Sequence, residues 1–302
     1  DDVTYYEVSP EGELVREEWF KVPYYCMMHD FAITPDYLVL HIVPSIGSWE
    51  QLEEGKPAFM FDTTKPVYLG IIPRREGLKD EDIRWFKRDN CFASHTMNAW
   101  QDGTKIHFVT PESKNNFFPF FPDIHGAPFN PQESVTHLTE WVVDLASNGD
   151  DFAEINRLSD TFSEFPRIDD RFTGRKNRYT WGLEIDMARP LNLPGGSASG
   201  APMNCLFHKD METGKEQHWW AGETSTLQEP CFIPRSKDAP EGDGWIVMVC
   251  NRLAEHRSDL LVFDALDIEK GPIATINVPI RLRFGLHGNF ARSEDIGLKV
   301  PE

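Results

Sequence analysis

The chain has 302 residues, 40% of them hydrophobic and 12% aromatic, enough to bury a large core within one domain. Its 30 Lys and Arg stand against 49 Asp and Glu for a formal charge of −19, and no basic cluster interleaves with aromatics, which excludes nucleic acid as a partner. The longest apolar runs, such as "GWIVMVC" (244–250), are strand-length, so no membrane span is expected.

The chain opens on a hairpin pattern: "TYYEV", a turn at "SPEGE", then "LVREEWFKV". These first residues have neither an apolar h-region nor an Arg/Ser-rich amphipathic pattern, so they are not expected to be a signal or transit peptide, and a chain that starts directly in a strand is expected to be N-terminally incomplete. Further strand patterns follow in "HDFAITPDYLVLHIVPS", "PVYLGIIPR", "IRWFKR", "HTMNAWQDGTKIHFVTP" and "THLTEWVVDLASNGD". The second half continues with "NCLFHKDMETGKEQHWW", "PCFIPRSKDAPEGDGWIVMVCNR", "SDLLVFDAL" and "PIATINVPI". Helical periodicity is scarce. Four units share one grammar, in which a strand meets a tight turn ("TPDY", "QDGT", "SNGD", "METGKE") and returns. Repeated meanders of this kind predict an all-β fold, a β-propeller in preference to a sandwich, with residues 1–302 as a single domain.

Two Pro, Gly, Asn and Ser-rich segments, 111–134 and 188–204, are too long for hairpin loops and are expected to build a binding surface, or in the "FFPFF" run a small core of their own. Five widely scattered cysteines form no CxxC pair and no zinc spacing. They fit reduced, packed thiols in a cytoplasmic protein.

Of the ten histidines, His125, His137, His208, His218 and His256 have surface or turn contexts. His29 in "CMMHDFAITPDYLVL", His95 in "CFASHTMNAW" and His287 in "RFGLHGNF" sit in aromatic and apolar settings, where an unpaired imidazole is costly. They lie 66 and 192 residues apart, yet strand-end residues of separate blades converge at a propeller axis. Imidazole ligands without thiolates suit iron, zinc, copper or nickel, and spacing does not choose among them.

The segments "MMHDFAITPDYLVL", "FASHTMNAWQDG", "EFPRIDDRFTGRKNRYTWG", "LQEPCFIPRSKDAPEGDGWIVMVCNR" and "VPIRLRFGLHGNF" resemble, in order, the motif series of the carotenoid cleavage oxygenases. "RSDLLVFDA" followed by "RLRFGLHGNF" is most similar to the lignostilbene dioxygenase and isoeugenol monooxygenase branch. The resemblance implies a seven-bladed propeller, with loops capping an axial non-haem Fe(II), one per chain. In that family four histidines hold the iron and three glutamates hydrogen-bond to them. It implies His29, His95 and His287 as iron ligands, with Glu164 oriented to His95 and Glu229 to His287. The family's first histidine, its third glutamate and the Tyr and Lys that hold a substrate phenol lie upstream of this chain, and His41 in "VLHIV" does not match the first-histidine motif.

The activity implied is O2-dependent cleavage of the C=C bond of a phenolic phenylpropanoid or stilbene, giving aromatic aldehydes such as vanillin. Phe118, Phe120 and Phe284 are candidate walls of an aromatic pocket. Apocarotenoid cleavage is the alternative substrate class. A zinc hydrolase would need a carboxylate base beside the metal, and a non-catalytic propeller scaffold would bind no metal. Self-association into a homo-oligomer is left open.

Overall fold

The computed structural model describes residues 2–193 and 203–297. Among them the protein is all-β, with one short α-helix, Trp49–Glu53, capped by the Ser48 hydroxyl, which accepts from the Gln51 N–H at 3.1 Å, and three single-turn 3-10 helices. No helix among these residues is long and apolar enough to cross a membrane. Of the segment 188–204, residues 194–202 lie outside the described residues.

Contacts divide the chain into two units, Asp1–Thr161 with Thr173–Lys176, and Phe162–Phe172 with Asn177–Glu302. The first contains the hairpin Asp2–Val8/Leu14–Lys21 and two antiparallel four-strand meanders. One runs Ala32–Ile33, Tyr37–Ile42, Val67–Pro73, Arg84–Arg88; the other runs Asn98–Asp102, Lys105–Ser113, His137–Asp144, Glu154–Arg157. The second unit repeats the plan with Ser163–Arg167, Tyr179–Glu184, Cys205–Asp210, Glu216–Trp220, and then Ser225–Leu227, Gly244–Arg252, Arg257–Asp264, Ala274–Val278. Each of these four meanders follows chain order, as the expected grammar requires, and among the described residues no sheet closes on itself.

Strand Tyr37–Ile42 shows why these segments read as nearly continuous apolar runs. Leu38, Leu40 and Ile42 join a core with Phe20, Val22 and Ile72, while Val39 and Val43 join another with Phe86, Phe108 and Trp141. Both faces are buried, so alternation between apolar and polar residues is lost. In the loop of 111–134, Phe117 and Phe118 pack against the second of these cores rather than into a small core of their own.

Two expectations need correction. His208, read as a surface or turn histidine, is buried in strand Cys205–Asp210 and stacks on Trp181 at 5.2 Å between ring centroids. Burial pushes its imidazole down to about 4, so it is neutral at pH 7. The strands Ser163–Arg167 and Tyr179–Glu184 were not expected as strands, because Pro166 and the charged run after it mask a pattern that a bulge also breaks.

Candidate metal centre

In the first unit, His29 lies three residues before Ala32 and His95 three before Asn98, so each stands at the entry to the first strand of a meander. Their Nε2 atoms face each other at 3.2 Å, with ring centroids 5.0 Å apart and planes at 65°. Two imidazole nitrogens bound at right angles to one ion at about 2.1 Å would lie about 3.0 Å apart, so the pair could hold a metal ion. The same separation also suits an N–H···N bond between neutral rings. His95 is buried, but His29 is exposed, contrary to the apolar setting expected for it.

What fixes the pair is Asp30. Its Oδ2 accepts from the Thr96 N–H at 2.8 Å and the Thr96 hydroxyl at 2.9 Å, while Oδ1 accepts from the Phe31 N–H at 2.8 Å. The carboxylate therefore ties the residue after His29 to the residue after His95. On the other side, the Thr110 hydroxyl donates to the His95 carbonyl at 2.6 Å. Hydrogen bonds to a carboxylate are roughly twice as strong as neutral ones and hold geometry well. Asp30→Ala is expected to weaken divalent-metal affinity by about 10- to 100-fold, the range found when residues that orient ligands are removed. Anaerobic titration of the variant with Co(II) measures this, and an unchanged dissociation constant would refute the positioning role.

In the second unit, His287 presents Nδ1 to Glu229 Oε1 at 3.2 Å, and the Gly288 N–H donates to Glu229 Oε2 at 3.0 Å. With Nδ1–H given to the carboxylate, Nε2 keeps its lone pair and can ligate a cation. His287 itself is exposed, not enclosed as its sequence context suggested. Arg167, which sequence reasoning missed, lies 3.4 Å from Glu229 Oε2 and donates to the Gly288 carbonyl and to Asn289 Oδ1, both at 3.2 Å. It lies in the "EFPRIDDRFTGRKNRYTWG" segment, but nothing local gives it a role there; the fold brings it to the His287 segment, 121 residues along the chain.

Glu164 also belongs to the second unit. It is buried, and its Oε2 accepts from the Phe165 N–H at 2.9 Å. The strand bulges here: the register shifts between Glu164 and Arg167, and Phe165 has φ of +51°, a region that bulky residues rarely enter. Opposite the bulge stands Gly182, where a Cβ would meet the Glu164 carbonyl at 3.0 Å. Glycine is therefore what lets the Glu164 backbone approach.

The proposed pocket aromatics are distributed between the units. Phe118 and Phe120 stack at 5.1 Å in the first, with Phe120 largely exposed. Phe284 is half-buried in the second.

Residues 1–292 match the family model described as retinal pigment epithelial membrane protein. The chain is 51% identical to a lignostilbene-alpha,beta-dioxygenase isozyme III from Sphingomonas paucimobilis, over 96% of this chain and 59% of that protein. It is 40% identical to an isoeugenol monooxygenase from Pseudomonas nitroreducens, over 95% and 59% respectively. The crystal structure of Pseudomonas brassicacearum lignostilbene dioxygenase superposes with a TM-score of 0.90 at 39% identity, covering 96% of this chain and 60% of that one. The chain thus spans about three fifths of the length of the proteins it matches.

Proposed function

The chain belongs to the family of the retinal pigment epithelial membrane protein and the carotenoid oxygenases, and from that membership we propose that it cleaves the C=C bond of a phenolic stilbene or phenylpropanoid with O2. The observation that carries this reading is the His29–His95 pair, two Nε2 atoms 3.2 Å apart and held there by the Asp30–Thr96 bonds. The similar proteins named for lignostilbene and isoeugenol point to the substrate class.

In this reading His29, His95 and His287 ligate one Fe(II) through Nε2, and the four meanders are blades of a seven-bladed propeller. Glu229 holds the Nδ1 proton of His287, and Glu164 serves His95 in the same way. Such partners fix each tautomer and make the ligating nitrogen more basic. When bound, the iron supplies the redox-active centre at which O2 is activated beside the alkene. Neutral imidazoles leave the cation's charge uncompensated, which favours an electron-rich alkene, and a para-hydroxyl on the ring pushes density into that bond. The two alkene carbons leave as carbonyl carbons, and the electrons they lose reduce O2, so no external reductant is required. Phe118, Phe120 and Phe284 are assigned to the walls that receive the flat ring. The five free thiols fit a reducing, cytoplasmic location.

Elemental analysis of full-length protein, with an anaerobic-then-aerobic assay on isoeugenol and a hydroxystilbene, tests the reading. About one iron per chain and aldehyde formed only with O2 are expected; absence of both overturns it. Glu164→Gln is expected to keep the fold by circular dichroism while weakening iron by about 10- to 100-fold. Full iron affinity in that variant would remove Glu164 from the site.

A further inference from the structure

His41 lies on the inward face of strand Tyr37–Ile42, between Val39 and Val43, with its ring 5.3 Å from that of Phe108. It is 6% exposed, and Ser45 and Ser94 are 1% and 3% exposed. The ring hydrogen-bonds to the Ser94 backbone, while Nδ1 has no protein partner. Neither do the hydroxyl oxygens of Ser45 and Ser94. All three side chains line one small cleft, whose other walls include Val43, Phe92 and His29.

Three unmatched polar atoms around one cleft are unusual, because buried polar groups are almost always paired and leaving one unpaired is costly. The cleft leaves about 10 Å³ of room, at the lower bound of what one water needs and too little for anything larger. The chemistry of the lining narrows the occupant further. With Nε2–H given to the Ser94 carbonyl, Nδ1 is a bare acceptor, whereas each hydroxyl can donate or accept. An anion finds no Lys or Arg among the lining side chains. A divalent cation would meet two hydroxyls and one nitrogen, a poor donor set.

We propose that His41, Ser45 and Ser94 form a binding site for one water molecule in the cleft that His29 also lines. The water donates to Nδ1 and to one hydroxyl and accepts from the other, which satisfies all three orphaned groups and locks His41 in its Nε2–H tautomer. Ser94 precedes His95, and the Ser45 carbonyl accepts from the Met27 N–H at 2.8 Å, so the bound water braces both segments that present the histidine pair. The site lies wholly in the first unit and requires no metal, so its failure and that of the iron reading are separable.

The test is a crystal structure of the metal-free protein at a resolution that shows ordered water, paired with nitrogen NMR of histidine-labelled protein. A density peak at about 2.7–3.2 Å from His41 Nδ1 and both hydroxyls, with the Nε2–H tautomer, is expected. Ser45→Val should fill the cleft, remove the peak and shift the His41 Nδ1 resonance, and Ser45→Ala should produce a smaller shift if the valine variant does not fold. A dry cleft, a ring turned so that Nδ1 meets a protein group, or an Nδ1 resonance unmoved by either substitution would overturn the site.

Discussion

His95→Ala is expected to abolish metal binding and, with it, any O2-dependent cleavage. Residues that merely orient a ligand cost about 10- to 100-fold when removed, and loss of a ligating imidazole should exceed that. His95 is the member of the pair that the fold fixes most firmly, buried and with its carbonyl held by the Thr110 hydroxyl. Alanine leaves that carbonyl bond in place, so the backbone stays while the nitrogen facing His29 is lost. A second buried histidine supplies the control. His208→Ala removes a ring stacked on Trp181 but leaves Trp181 in place opposite Arg167, so it should lower stability without changing metal content. Elemental analysis of both variants decides the matter: iron retained in His95→Ala, or lost equally from both, would refute the ligand assignment.

Much of this architecture was legible because strand, turn and return strand are local patterns. "QDGT" between Asn98–Asp102 and Lys105–Ser113 is one such turn, and Gly103 there takes the positive φ of +59° that glycine permits. The site was less legible. His29 and His95 lie 66 residues apart and meet only because successive meanders begin alike. Asp30 stands beside His29 in the chain, but its partner Thr96 is 66 residues away. Glu164 was identified by resemblance alone, since a proline, a bulge and a left-handed Phe165 erase the strand period around it. His208 was misread because "HKD" looks like a polar strand end. In the fold, Cys205–Lys209 is buried on both faces, and Lys209 pairs with Glu216 at 2.8 Å.

Trp181→Ala is expected to destabilise the second unit by about 3–5 kcal/mol, the usual cost of removing a large core aromatic. Trp181 is fully buried between the rings of His208 and Phe232, at 5.2 and 4.9 Å, and its Nε1–H donates to the Ala265 carbonyl at 2.7 Å. Alanine removes both stacks and leaves that carbonyl without its donor, which adds to the loss. A domain's whole stability is about 5–15 kcal/mol, so this one change consumes a large share. The consequence reaches the candidate site through register. Trp181 pairs with Arg167, and Arg167 holds the Gly288 carbonyl, Asn289 and Glu229 around His287. Slackening the strand under Arg167 should therefore loosen the His287 segment before the unit unfolds. Urea unfolding followed by fluorescence and circular dichroism should show a lower midpoint, and hydrogen exchange should show faster opening at Gly288. Trp181→Phe keeps an aromatic in the stack and should recover most of the midpoint without the Ala265 bond. An unchanged midpoint in the alanine variant would mean that this core does not support the site-bearing strand.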